Sequence, residues 1–229
     1  MTDTLTRTEA SAAIEHSSWR YLLDAIAMSV PVDSFGQAVR LAQAAVDVCG
    51  ADGAGHLRVD LRPDSAEFIL QTAAACGITD TDLELARRIT DAASTLGLTT
   101  GGAQSTDQRR SVQMLEIAID AIDIAAIRPF WKAVMGYTGE PGGDGPQDAL
   151  IDPGWQGPTI WFQQMDEPRP QRNRIHFDIS VPHDEADSRV RAALDAGGVL
   201  VSDAEAPSFR ILADPEGNEI CVCTWQDRD

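Results

Sequence analysis

Apolar side chains along this chain recur with two rhythms, one of about 3.6 residues and one of two, interrupted by short turns rich in Gly, Pro and Asp. Residues 1–16 are polar and predict a flexible N-terminus. Trp19, Leu22, Leu23 and Ile26 fall at helical spacing, and Met28-Ser29-Val30-Pro31-Val32 alternates like a short edge strand. Asp33 or Ser34 offers a cap for a helix with Phe35, Val39, Ala42 and Val46 on one stripe and Gly50 just past its end. Residues 56–62 and 66–72 read as two strands joined by the turn Arg62-Pro63-Asp64-Ser65. Thr81-Asp82-Leu83-Glu84 reads as a capping box opening a helix with Leu85, Ile89, Ala92, Ala93 and Leu96 inward, ending at Gly97.

Residues 99–112 are dominated by Gly, Ser, Thr and Gln without an apolar period, as in a linker. Beyond them a strand–helix–strands pattern occurs twice. Strands are expected over 114–121, 148–151 and 158–164 with a helix over 124–135, then strands over 174–181, 199–202, 209–213 and 219–224 with a helix over 185–196. Pro129 lies inside the first of these helices and predicts a kink or a late start. The expected organisation is a flexible N-terminus (1–16), a first domain (17–98), a linker (99–112) and a second domain (113–229), of α+β class.

Strand parity sorts the second half. Ile117 and Ile119, Ile160 and Phe162, Ile175 with Phe177 and Ile179, and Ile220 with Val222 all claim the core. The opposite face then collects Glu116, Ala118, Asp120, Thr159, Trp161, Gln163, His176, Asp178, Ser180, Glu219, Cys221 and Cys223. Such a face carries a base, carboxylates and an aromatic wall, and a small organic molecule suits it. The turn Asp214-Pro215-Glu216-Gly217-Asn218 reads as structural.

Composition narrows the partners. With 18 basic and 36 acidic residues the net charge is −18, which repels nucleic acid and anionic membranes. No apolar run approaches the roughly 18 residues of a membrane span, and the first residues lack a signal peptide's apolar stretch, so a cytoplasmic protein is expected. Four cysteines (Cys49, Cys76, Cys221, Cys223) match neither a disulfide scaffold nor structural zinc spacing.

The second half resembles the vicinal-oxygen-chelate superfamily, in its glyoxalase-like branch. The residues that carry this are Pro129-Phe130-Trp131, Met135-Gly136-Tyr137, Trp161-Phe162-Gln163-Gln164, Arg174-Ile175-His176-Phe177-Asp178, Ala196-Gly197-Gly198 and Ile211 to Val222 with its Asp214-Pro215-Glu216-Gly217-Asn218 core. The resemblance implies a cup of paired βαβββ modules and a divalent metal ion. The family's ligand positions fall on Glu116, His176 and Cys221, with a further one near Trp161 or Gln163. A cysteine stands where a carboxylate is usual.

The first half resembles pterin-4a-carbinolamine dehydratase through Ser34-Phe35-Gly36-Gln37-Ala38, His56, Val59-Asp60-Leu61-Arg62, Leu70-Gln71-Thr72 and Thr79-Asp80-Thr81-Asp82. It implies an α/β sandwich preceding the glyoxalase-like domain. Of the family's three histidines His56 remains, while Gly55 and Ala73 stand in the other two places.

The leading expectation is a protein, working as a homodimer, whose second domain handles a small organic molecule; for an enzyme, the glyoxalase-like resemblance implies non-redox chemistry of lyase, isomerase or cyclase type. His176 or Glu116 would be the base, Asp120 and Asp178 orienting groups, and Trp161, Gln163 and Cys223 substrate contacts. An alternative is a binding or antibiotic-sequestering protein without turnover. A second alternative, 4a-hydroxytetrahydropterin dehydration, is opposed by the two missing imidazoles.

Overall fold

The computed structural model describes residues 4–100, 112–169, 171, 173 and 175–227, which divide into two compact units, 1–114 and 115–229. Most of the expected linker, 99–112, lies outside the described residues. Among the described residues no helix is long and apolar enough to cross a membrane.

The first unit runs α1 (Arg7–Ala13), β1 (Arg20–Leu22), β2 (Ala25–Pro31), α2 (Phe35–Cys49), β3 (Leu57–Leu61), β4 (Ser65–Leu70) and α3 (Asp80–Thr95). Its antiparallel sheet has the order β1-β2-β4-β3. Trp19, Met28, Leu41, Phe68, Leu85 and Ile89 fill the core.

Several expectations are corrected here. Residues 7–13 are a helix, not a flexible leader. Thr6 and Glu9 form a capping box, and Ala10 and the following Ile14 are buried in the core. The Trp19–Ile26 spacing belongs to a β-hairpin. Leu23 and Asp24 both take positive φ (45° and 58°), which turns the chain tightly between β1 and β2. β2 is interior rather than an edge, because β1 covers one side of it.

In α2 the large apolar stripe faces outward: Phe35, Val39 and Val46 are exposed, whereas Ala38, Leu41, Ala45 and Cys49 are buried. Two stripes about 90° apart compete on this helix, and the one with small residues permits the closer approach to the sheet and α3. The α3 capping box is Thr79 with Asp82, two residues earlier than expected, and Leu96 is exposed.

The second unit realises the doubled pattern. β5 (Glu116–Ala121), α4 (Ile124–Met135), β6 (Thr138–Gly139), β7 (Leu150–Ile151) and β8 (Thr159–Gln164) form one βαβββ module. β9 (Phe177–Ser180), α5 (Ala186–Asp195), β10 (Val199–Ser202), β11 (Phe209–Ala213) and β12 (Glu219–Cys223) form the next. The sheets have matching orders, β5-β8-β7-β6 and β9-β12-β11-β10, and in each the first strand runs parallel to the fourth. Ile119, Ile160, Phe162, Leu212, Ile220 and Val222 share one core with Phe130, Trp131, Val134 and Val190 of the two helices.

α4 runs unbroken through Pro129 from an Asp123 cap, so the late start is not observed. Pro129 and Ala125, whose carbonyl loses its partner, both lie on the exposed side where water can replace that bond. Ile175, expected in the core, is 74% exposed, and β9 begins two residues later.

Candidate functional site

Register fixes which side chains share the face away from the helices. On β5 and β8 the pairs Glu116–Thr159, Ala118–Trp161 and Asp120–Gln163 lie side by side. On β9 and β12 the pairs are Asp178–Cys221 and Ser180–Cys223. Partners opposite one another in a sheet point the same way, so each set is one continuous patch.

A cleft of about 820 Å³ opens beside these strands. Ala118 and Asp120 of β5, Phe177 of β9 and Glu219 of β12 line it, together with Trp131 of α4. Met165, Arg169, Gln171, Asn173 and Ile175, from the connection between β8 and β9, supply another wall. Glu216, Gly217 and Asn218 of the turn before β12 close the end.

That turn is rigid. Asp214 is 2% exposed, and its carboxylate accepts hydrogen bonds from Trp131 Nε1 (2.9 Å), the Glu216 and Asn218 amides (both 2.9 Å) and Asn218 Nδ2 (2.8 Å). The Glu216 carboxylate in turn accepts from the Ile122 and Asp123 amides (2.9 and 2.6 Å), ahead of α4. An anion suits the positive end of a helix dipole. Asn173 Nδ2 donates to Asn218 Oδ1 at 2.6 Å, which ties the β8–β9 connection to the same turn.

Of the residues expected to serve the site, Asp120 alone lines the cleft. Glu116, Trp161 and Gln163 lie on the same patch as Asp120 but outside the lining, all exposed. Cys223 is enclosed at 2% exposure and does not offer the ligand surface expected of it. Arg169, Asn173, Ile175 and Phe177 escaped the sequence reading. The polar, Pro-interrupted run between β8 and β9 has no apolar period to orient it, and Ile175 and Phe177 were assigned to the core by parity.

His176, Asp178 and Cys221 form a second locus. Their ligand atoms all lie within 4.8 Å of one another, and His176 Nε2 is 3.4 Å from Asp178 Oδ1. Both of those side chains are open to solvent, whereas Cys221 is 6% exposed. Burial pushes the Cys221 thiol up to about 12, aided by its hydrogen bond to Asp178 and by the nearby charge, so at neutral pH it is a protonated donor to that carboxylate. The ligand set implied by the resemblance does not close: Glu116 forms no such group with His176 and Cys221. The residues that do converge, an imidazole, a carboxylate and a thiol, fit a divalent ion.

In the first unit, His56 Nδ1 lies 2.8 Å from Asp82 Oδ1, and Asp82 is fully buried. The Thr72 hydroxyl and the Thr79 amide donate to the other Asp82 oxygen at 2.7 and 2.8 Å. The Ala73 amide donates to the Gly55 carbonyl at 2.9 Å, so the backbone brings all three family histidine positions together. Only one of them carries an imidazole, and Gly55 holds φ +77°, where a histidine would be strained.

Residues 116–223 match the family model for a glyoxalase-like domain, and residues 3–92 that for pterin 4 alpha carbinolamine dehydratase. Among solved structures the chain is similar to a transcriptional coactivator/pterin dehydratase from Brucella melitensis, at 21% identity over 40% of this chain and 99% of that one, with a TM-score of 0.37. It is also similar to a glyoxalase/bleomycin resistance protein/dioxygenase family enzyme from Burkholderia phytofirmans PsJN, at 21% identity over 48% and 95%, with a TM-score of 0.37. A third is the fosfomycin resistance protein FosX from Mesorhizobium loti, at 8% identity over 50% and 92%, with a TM-score of 0.39. No curated protein matches the sequence.

Proposed function

Because the chain joins a pterin-dehydratase-like half to a glyoxalase-like half, we propose that its function is carried by the second, which holds a small organic molecule in the cleft beside β5 and β9. The cleft itself carries this reading. Its volume of about 820 Å³ falls within the usual range for small-ligand sites, roughly 300–1,000 Å³. Ile175, Phe177 and Met165 offer apolar surface, and Asp120, Arg169 and Asn173 offer charge and hydrogen bonds.

The test is a thermal-shift screen of small organic molecules, followed by calorimetric titration of the hits. A true ligand raises the melting temperature of the wild type, and Asp120→Asn weakens it by about tenfold, the scale of one charge-assisted hydrogen bond. Hits that bind Asp120→Asn and Asn173→Ala as tightly as wild type would place the ligand elsewhere and defeat the proposal.

A second reading places turnover of lyase, isomerase or cyclase type at His176, which stands on an exposed face outside the cleft lining. It is favoured by the His176 imidazole standing 3.4 Å from the Asp178 carboxylate on an open face. A carboxylate there orients the ring and steadies its protonated form after the imidazole takes a proton from carbon beside a carbonyl. In this reading His176→Ala abolishes turnover and leaves ligand affinity within about twofold of wild type. Unchanged turnover in that variant removes His176 from the chemistry.

A further inference from the structure

We infer that His176, Asp178 and Cys221 form a binding site for a zinc-class divalent ion, with Asp178 in the place that the resemblance gives to Glu116. The inference goes beyond the cleft and does not depend on its ligand, since none of the three residues lines it.

The backbone brings Asp178 and Cys221 together before any ion arrives. Cys221 and Asp178 are register partners on the parallel strands β12 and β9, so they share a face. His176 precedes Asp178 by two residues, and its imidazole lies against that carboxylate. Their ligand atoms span no more than 4.8 Å.

The spacing is informative. At 3.4 Å, His176 Nε2 and Asp178 Oδ1 are farther apart than in a good hydrogen bond, which lies at about 2.7–3.2 Å. Two ligands bonded at about 2.05 Å to a tetrahedral zinc stand roughly 3.3 Å apart. The observed distance is therefore one that two ligands of a single ion can keep. A sulfur ligand on the same ion, bonded at about 2.3 Å, would stand roughly 3.6 Å from each of them.

The chemistry of the donors selects the metal. A cysteine sulfur that releases its proton on binding, an imidazole and a carboxylate together favour zinc and its neighbours over magnesium, calcium or manganese, which take oxygen-rich shells. Three protein ligands leave a fourth tetrahedral position. Because His176 and Asp178 are 54% and 60% exposed, that position opens to solvent and can take water or an exogenous ligand.

Glu116 stands apart from this group. It belongs to β5, in the other sheet, where its register partner is Thr159. The H-x-D spacing at the start of β9 instead brings a carboxylate to the histidine from the same strand.

Cobalt titration of the full-length chain tests the inference, because Co²⁺ reports its ligands by absorption and zinc displaces it. The wild type should develop a thiolate-to-cobalt charge-transfer band and visible bands of tetrahedral intensity, saturating at one ion per chain. Zinc should abolish them; excess magnesium should not. Cys221→Ser should lose the charge-transfer band. Asp178→Asn, an exposed change that leaves the core intact, should weaken cobalt binding by more than about tenfold. Glu116→Gln should bind as wild type. Absence of the charge-transfer band in the wild type, its persistence in Cys221→Ser, undiminished binding in Asp178→Asn, or its loss in Glu116→Gln would each overturn the assignment. Circular dichroism melts of the variants separate loss of ligand from loss of fold.

Discussion

Asp214 is a buried carboxylate of the second domain that serves four donors from three residues. Replacing it with Ala leaves the buried Trp131 N–H without a partner and frees the turn that ends the cleft. The expected loss is about 2–5 kcal/mol by urea denaturation, with an unchanged slope. Asp152 acts similarly on a smaller scale. Burial raises its pKa, but the amides of Gly157, Gly154 and Gln156 outweigh it and hold the carboxyl below the usual range. A depressed folded-state pKa contributes stability above the unfolded value of about 3.9 and loses it as pH falls through the folded value. The stability gap between wild type and Asp152→Asn should therefore narrow below about pH 4; a gap that stays constant to pH 2 would show the carboxylate uninvolved. For His56 the prediction concerns activity. Its imidazole is held by Asp82 and Thr72, while Gly55 and Ala73 leave the other two family positions empty of imidazole. Carbinolamine dehydration needs proton transfers on both sides of the reacting carbon. Stopped-flow assays should find no turnover in the ordinary range of about 1–1,000 per second, and His56-dependent turnover in that range would refute this.

At the scale of elements, the doubled pattern was legible because β5 and β8 alternate and α4 is bounded by the Asp123 cap and Gly136, whereas β6, two residues long, carries no period to read. α4 was read to its observed ends. The first unit was harder, for reasons that lie in particular residues. The spacing of Trp19, Leu22, Leu23 and Ile26 satisfies a helix and a hairpin equally, and the decision rests on positive φ at Leu23 and Asp24, neither a glycine. In α2 hydrophobicity pointed to Phe35, Val39 and Val46, whereas close packing chose Ala38, Leu41 and Ala45. The candidate site was legible as a face but not as a set: parity placed His176, Asp178 and Cys221 together, yet could not tell that Glu116 lies in the other sheet. The α2 assignment is tested by substitution. Leu41→Ala should cost about 2–5 kcal/mol, while Val39→Ser should change stability by less than about 0.5 kcal/mol. The reverse order would mean that the stripe read from hydrophobicity is the buried one. Gly198→Ala probes the second unit in the same way, since a β-carbon there runs into the Phe130 ring. A loss of about 1–3 kcal/mol is expected.

At the scale of the whole molecule, the two hydrophobic cores share no residue: one draws on positions up to Leu98, the other begins at Ile117. A domain holds together through its own core, and the sequence between the two cores is rich in Gly, Ser, Thr and Gln and poor in apolar residues. Each unit of about 100 residues can bury enough surface to be stable alone. We therefore expect limited proteolysis of the intact chain to cut first between Leu98 and Gln113. The two fragments should then remain folded, each keeping the melting transition it shows within the uncut protein. Differential scanning calorimetry before and after the cut measures this directly. Two transitions that survive cleavage with little change in midpoint support independent units. A single transition in the intact chain that collapses on cleavage would mean that the halves fold as one cooperative body, and the boundary drawn at 99–112 would have to be abandoned.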